Sequence, residues 1–205
     1  MAERFPVPVF DIGNVLIRWD PRLLYRKLIA DEAEREDFLA RVCAPAWNLE
    51  MDGGKPFAQG VAERVAMFPD KADLIRAFDD RWLETLGGAI EGSVAILEEL
   101  RERGVKTYAI SNFSHEKFEL ASELFPFLSG FEGILLSGRE KLLKPDPRIY
   151  RLLCERHGLA SRDCFFIDDS RPNIETARVI GMQAHWFEGP ERLRETLKEA
   201  GFPLD

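Results

Sequence analysis

Four polar sites in this 205-residue chain are of types that do chemistry: Asp11, the pair Ser111-Asn112, Lys144, and the pair Asp168-Asp169. Singly, each has an ordinary reading. Asp11 tightens a turn with Gly13, Ser111-Asn112 caps a helix, Lys144 is solvated, and Asp168-Asp169 is a charged turn. Jointly they make a different set, because each follows a short apolar run or sits in a loop before a helix. Three carboxylates in one place repel one another, so a cation must meet them. An all-oxygen donor set with no Cys or His cluster favours Mg2+, which keeps waters and bridges to a substrate phosphate. A positioned carboxylate also acts as a nucleophile and forms an acyl phosphate. Lys144 would then neutralise charge, and Ser111 with backbone N–H groups would hold phosphate oxygens. Pro145 biases Lys144 to an extended backbone, which helps to aim its side chain.

Such a set converges only if the chain aligns the ends of several strands. The apolar run Val7 to Phe10 delivers Asp11 into a glycine-containing turn. Helical periodicity then holds to about Leu86. Asp20-Pro21 is a helix start, with Asp as N-cap and Pro at the first helical position. Leu23, Leu24 and Leu28 follow at helical spacing, Phe38, Leu39 and Val42 mark a second helix, and Val61, Val65 and Phe68 a third. Leu74, Phe78, Trp82 and Leu86 recur every four residues and predict a long fourth helix. Gly53-Gly54 and Gly87-Gly88 punctuate this stretch.

From Glu91 the pattern alternates. Helices are predicted over 94–103, 115–124, 148–157, 174–180 and 191–200, and strands over 105–110, 133–136, 164–167 and 184–187. Gly104, Gly158 and Gly181 stop helices, and Asp146-Pro147 repeats the Asp-Pro helix start. Alternating strands and helices predict an α/β fold with a Rossmann-like parallel sheet and right-handed crossovers. The expected core is 1–17 with 88–205, and the helical stretch 18–87 is an inserted small α-helical cap. Entering just after the first strand, it would cover the crevice at the carboxyl ends of the strands.

Composition narrows the partners. A net charge of −8 argues against a nucleic acid or an anionic membrane surface, which need a positive face. The three cysteines, Cys43, Cys154 and Cys164, show no C-x-x-C spacing and read as buried free thiols of a reducing compartment. With no apolar stretch of membrane-spanning length and no signal-like N-terminus, the expectation is a cytoplasmic chain. Nothing in the sequence speaks to oligomeric state.

Phe10-Asp11-Ile12-Gly13-Asn14-Val15-Leu16, Ile110-Ser111-Asn112, Lys144-Pro145-Asp146-Pro147-Arg148-Ile149-Tyr150 and Phe165-Phe166-Ile167-Asp168-Asp169-Ser170-Arg171-Pro172-Asn173-Ile174 resemble, in order, the four signature motifs of the haloacid dehalogenase-like (HAD) hydrolase superfamily. The helical insertion between the first two is similar to the cap of the subgroup that holds dehalogenases, phosphoglucomutases and small phosphatases. The Asp-x-Gly-Asn-Val form is most similar to the sugar-1-phosphate phosphatase branch. The resemblance implies a Mg2+-dependent phosphomonoesterase acting on a small phosphorylated metabolite. It implies Asp11 as nucleophile and metal ligand, Gly13 as a backbone carbonyl ligand, and Ser111 and Lys144 as phosphoryl-binding groups. Asp169 is implied as the direct ligand of its pair, with Asp168 supporting it directly or through water. Asn112 and Asn173 are further candidates, Asn112 on the substrate side.

One position departs from that pattern. Most phosphatases of the superfamily carry an acid/base aspartate two residues after the nucleophile, where this chain has Gly13, which transfers no proton. From that departure follows an expected preference for acidic leaving groups, such as the anomeric hydroxyl of a sugar 1-phosphate. Two alternatives stand beside this reading. A metal-independent 2-haloacid dehalogenase shares the Ser-Asn and Lys-Pro motifs, but has an aromatic residue at the Gly13 position and serine-rich residues at Asp168-Asp169. A non-catalytic scaffold that binds a phosphorylated ligand is the other. Of the remaining residues, Trp19, Trp47 and Trp82 read first as packing and second as pocket walls. His115 is a helix-surface residue or a proton donor, His157 and His185 are structural, and Arg18 and Arg22 are candidates to meet a sugar or carboxylate.

Overall fold

In the computed structural model, which describes residues 5–205, the apolar run before Asp11 forms β1 (Val7–Phe10), the middle strand of the main sheet. Two residues beyond Asp11 the chain turns sharply. Asn14 takes a left-handed φ of 55°, a conformation asparagine tolerates better than most residues, and its amide oxygen accepts the Trp19 N–H at 3.0 Å. The chain then enters β2 (Ile17–Trp19) and the short helix α1 (Arg22–Tyr25). Here Asp20 Oδ1 accepts the Arg22 N–H at 2.9 Å, so the Asp-Pro pair starts the helical turn as its chemistry suggests.

Four helices follow: α2 (Glu32–Arg41), α3 (Pro45–Asp52), α4 (Phe57–Met67) and α5 (Ala72–Asp80). An aromatic cluster holds them together. Trp47 and Phe57 lie 5.1 and 6.2 Å from Phe78, and Tyr25 packs 4.8 Å from Phe38 while donating to the Leu74 carbonyl. The predicted long fourth helix is shorter than expected. It ends at Asp80, a 3-10 turn covers Trp82–Thr85, and Leu86 already belongs to β3 (Leu86–Ala89). The four-residue spacing there records burial in two different layers rather than one helix. Phe78 packs among the helices, whereas Trp82 packs 5.7 Å from Phe113, in the loop after the next strand of the main sheet. β3 runs antiparallel to β2, a two-stranded ribbon that the helical periodicity concealed. Positions 17/18 and 87/88 fall within this ribbon.

The remainder alternates: α6 (Glu91–Glu102), β4 (Tyr108–Ser111), α7 (His115–Leu124), β5 (Gly133–Leu136), α8 (Ser137–Glu140), α9 (Pro147–His157), β6 (Cys164–Asp168), α10 (Arg171–Val179), β7 (Gln183–Trp186) and α11 (Pro190–Glu199). Asp146 caps α9 by accepting the Arg148 N–H, and Gly158 ends it at a φ of 64°. The main sheet has the order β5-β4-β1-β6-β7 with every pairing parallel. The chain leaves β1 toward β4 on one side and leaves β6 toward β7 on the other. The crevice between β1 and β6 is therefore the topological switch point, where open α/β sheets bind ligands. Buried apolar residues fill both faces of the sheet, and one of these clusters continues into the helical stretch through Leu24, Phe38, Trp47 and Phe78. The three cysteines are free and buried. Among the described residues no helix is long and apolar enough to cross a membrane.

Candidate active site

Register brings the carboxylates together. Phe10 pairs with Ile167 across β1 and β6, so the next residues of each strand, Asp11 and Asp168, stand side by side, and the Asp11 N–H donates to the Ile167 carbonyl at 2.8 Å. On the other flank Phe10 pairs with Ala109 of β4, so Ser111 lies one residue beyond the position opposite Asp11, within reach of its carboxylate. Asp11, Asp168 and Asp169 each offer an oxygen within 4.8 Å of the others. The four sequence sites thus meet at the switch point.

Asp11 is 7% exposed and its contacts are one-sided. Oδ1 accepts from the Ile12 N–H at 2.7 Å and the Ser111 hydroxyl at 2.7 Å, and lies 2.9 Å from Lys144 Nζ. Oδ2 carries none of these contacts. Burial pushes the Asp11 carboxyl up to about 7; Lys144 pulls the other way and Asp168 adds to the rise.

Lys144 is 3% exposed and bridges the two carboxylates, with Nζ 2.6 Å from Asp168 Oδ2. Burial disfavours its charge, yet Asp11 and Asp168 outweigh burial and hold it above the usual lysine range. Its backbone is fixed by Asn112, whose amide accepts the Lys144 N–H at 2.7 Å and donates to the Lys144 carbonyl at 2.9 Å. Asn112 therefore places Lys144, besides lining the neighbouring cavity. The Lys144–Pro145 peptide is cis.

Asp168 and Asp169 differ sharply. Asp168 is fully buried and saturated: besides Lys144 it accepts the Ser170 N–H at 2.8 Å and the Asn173 amide at 3.0 Å on each oxygen. Asp169 reaches solvent with its carboxyl half-buried and has no side-chain hydrogen-bond partner among the described residues; that partial burial and the charge of Asp168 raise its pKa, with Lys144 pulling the other way. No metal is needed to satisfy Asp168, whereas Asp169 and Asp11 Oδ2 offer free lone pairs. A hard cation taking oxygen ligands fits that donor set.

Beside the cluster a cavity of about 130 Å³ opens between the sheet and the helical stretch. Gly13, Asn112, Phe113 and Lys117 line it from below, Trp19, Trp82 and Leu86 from the ribbon and 3-10 turn, and Asn48, Asp52 and Phe57 from the helices. Trp19 and Trp82 are thus pocket walls, while Trp47 is buried packing that donates to the Gly60 carbonyl at 3.2 Å. Arg18 is bound to the Ala89 carbonyl and Arg22 pairs with Glu36 at 2.6 Å, so neither lines this cavity. His115 does not line it either.

Asp52 and Lys117 escaped the sequence reading. Lys117 is buried, pairs with the Asp79 carboxylate and lies 4.4 Å over the Phe57 ring. Asp52 ends α3 just before Gly53-Gly54, where an aspartate reads as turn chemistry. It reaches the site because three backbones stack closely. A Cβ on Gly138 would lie 2.9 Å from the Phe113 carbonyl, and one on Gly54 2.9 Å from the Gly138 carbonyl. Through that contact the Ser114 N–H donates to Asp52 Oδ1 at 3.1 Å and the Ser137 hydroxyl donates to the Asp52 carbonyl at 2.5 Å.

Sheet and cluster together define an α/β protein built on a carboxylate centre at a strand switch point. The chain belongs to the haloacid dehalogenase-like hydrolases: the family's model matches residues 8–181. Among curated relatives it is 23% identical over 193 residues to the sesquiterpene phosphatase astK of Aspergillus oryzae, covering 89% of each chain. It is 28% identical over 201 residues to flavin mononucleotide hydrolase 1 of Arabidopsis thaliana, covering 97% of this chain and 79% of that one. Two other curated relatives are much longer proteins, of which the matched region spans 10% and 35%. A HAD-family enzyme of Bacteroides thetaiotaomicron, solved with magnesium and inorganic phosphate, superposes with a TM-score of 0.71 at 25% identity, over 90% of this chain and 95% of that one.

Proposed function

We propose that this hydrolase cleaves phosphomonoesters of small metabolites, with Asp11 receiving the phosphoryl group. The observation that carries the reading is the asymmetry of Asp11: three donors orient Oδ1, Oδ2 takes none of them, and an oxygen of this carboxylate lies within 4.8 Å of one from Asp169. A carboxylate so fixed attacks phosphorus without reorienting. Asp11, Asp169 and the Gly13 carbonyl would hold Mg2+, with Asp168 supporting them. When bound, the ion supplies charge neutralisation between the carboxylates and the incoming phosphate and screens the charge that builds on its oxygens.

The remaining steps belong to the chain. The Lys144 ammonium lowers the cost of an anionic substrate near Asp11 and stabilises charge on the transferring oxygens. The Ser111 hydroxyl, now on Asp11 Oδ1, rotates to a phosphate oxygen. Asp168 and Asn173 keep Lys144 from swinging away. The helical stretch 18–87 acts as the cap that closes over the leaving group. Relatives named as phosphatases and a neighbour holding magnesium and phosphate support the same chemistry.

The leaving group faces the cavity. An apolar cavity of about 150 Å³ holds one benzene ring, so the about 130 Å³ here accepts a single ring. Aromatic faces with amides from Asn48 and Asn112 suit a sugar ring, and in a sugar 1-phosphate the ring is bonded directly to the bridging oxygen. A sugar 1-phosphate is therefore the substrate class we assign.

The test is hydrolysis of p-nitrophenyl phosphate with Mg2+ and with EDTA, in the parent and in Asp11→Asn. Activity that survives EDTA or the substitution overturns the mechanism. A clear preference for 6-phosphates over 1-phosphates overturns the substrate class alone.

A further inference from the structure

We propose that Asp52, from the helical stretch, is the proton donor and acceptor of the reaction, standing in for the side chain that Gly13 lacks. The inference rests on the phosphomonoester reading above and names the group that reading leaves unassigned.

The geometry is specific. A Cβ built on Gly13 meets nothing within 4 Å, so the space where a side chain two residues after Asp11 would lie is open. That space belongs to the cavity, and Asp52 lines the same cavity from the helical side. Of the described residues that line it, only Asp52 and Lys117 ionise. Lys117 is held away by the carboxylate and backbone carbonyl of Asp79. Asp52 is the one group left.

Its carboxyl is also fixed. Oδ1 accepts from the Ser114 N–H and Oδ2 from the Asn48 amide at 2.7 Å, one bond to each oxygen. The Ser114 bond ties it to the loop that begins with Ser111, three residues earlier, which itself holds Asp11. Burial first, and then the charge of Asp11, pushes the Asp52 carboxyl up to about 7, where it serves as acid in one step and base in the next. In the first step one carboxylate oxygen of Asp11 bonds to phosphorus and the bridging P–O bond breaks. The leaving oxygen takes that electron pair and the Asp52 proton and departs as an alcohol. In the second, a water oxygen bonds to phosphorus and gives its proton to Asp52, and the P–O bond to Asp11 breaks. Phosphate leaves, and both carboxyl groups return to their starting states. An enzyme with this donor is not confined to acidic leaving groups, as Gly13 alone would suggest.

Asp52→Asn separates the steps, because p-nitrophenolate leaves without a proton. Asn keeps an oxygen for the Ser114 N–H, and Asn48 can turn its amide to match. With Mg2+ and p-nitrophenyl phosphate, the variant should keep a p-nitrophenolate burst within threefold of the parent in rate. Its steady-state turnover should fall roughly 10²–10⁴-fold, the usual worth of a general acid or base. With n-butyl phosphate the first turnover itself should fall by the same factor. Adding Gly13→Asp to Asp52→Asn puts a carboxyl into the open space and should restore turnover at least tenfold. Unchanged steady-state rates in Asp52→Asn overturn the proposal while leaving the phosphomonoester reading intact. So does an equal loss of burst and turnover on both substrates in a variant whose thermal midpoint is no lower than the parent's. A parent enzyme with no burst and no Mg2+-dependent hydrolysis overturns both.

Discussion

The Ser111 hydroxyl donates to Asp11 Oδ1 over 2.7 Å, joining the ends of two strands whose residues are 100 positions apart in the chain. Parallel pairing of β4 with β1 creates the contact, and it both orients the nucleophile and parks a donor where a phosphate oxygen would arrive. Ser111→Ala is expected to fold normally and to lose about 10²–10³-fold in kcat/KM, the range for removing one preorganised donor to developing charge. Steady-state kinetics on p-nitrophenyl phosphate measure it. A loss under threefold would mean that Ser111 only packs.

Among the described residues Lys144 is the single cation touching both Asp11 and Asp168. Lys144→Met strands two buried carboxylates, and breaking a buried pair by removing one partner costs about 3–5 kcal/mol. Urea denaturation near neutral pH should show a loss of that order, together with loss of hydrolysis. A stability change below about 1 kcal/mol would contradict this role for the pairing.

Mg2+ should raise the thermal midpoint of the parent, since a ligand at a hundredfold excess over its Kd stabilises by about 2.7 kcal/mol. Asp169→Asn removes the free carboxylate and should abolish most of that shift, while the saturated bonds of Asp168 leave the fold unchanged. Differential scanning fluorimetry with and without MgCl2 reads both. An undiminished shift in Asp169→Asn would move the ion away from this carboxylate.

Much of this was legible in the chain. The alternation after Glu91 was readable because most strands carry a short apolar stretch, such as residues 134–136 and 165–167, and helix-stop glycines or Asp-Pro starts bound the helices between them, as around Asp146 and Gly158. Three of the polar sites were readable because each sits where a strand ends, and Lys144 because it stands in the loop just before an Asp-Pro helix start. The stretch before Glu91 misled where one spacing served two layers, as with Phe78 and Trp82, and the ribbon of β2 and β3 left no alternation to detect. α3 went unseen because only Trp47 and Met51 are fully buried on it. Asp52 was illegible for a related reason. Its importance comes from the close stacking of Gly54 and Gly138 on the Ser114 loop, a meeting of residues more than 80 positions apart.

Stability should report the Asp52 carboxyl independently of activity. Its folded pKa is raised by burial, from 3.8 to about 7, so between those values the folded state binds more protons than the unfolded chain. Burying the ionised group therefore costs nothing below about pH 4, progressively more up to pH 7, and the full amount above it. Asp52→Asn removes this cost. Relative to the parent it should gain stability as pH rises from 5 to 8, by a few kcal/mol at most, since one pK unit is about 1.4 kcal/mol. Thermal melts across that range check the sign, and a pH-independent difference would contradict it.

The most direct measurement asks where the phosphoryl group goes. The parent, quenched in acid during turnover of a phosphomonoester with Mg2+, should carry one phosphate on the peptide that contains Asp11, labile to hydroxylamine as an acyl phosphate is. Asp11→Asn should carry none. Rapid turnover with no such adduct under single-turnover sampling, or the same adduct in Asp11→Asn, would contradict the assignment of Asp11 as nucleophile.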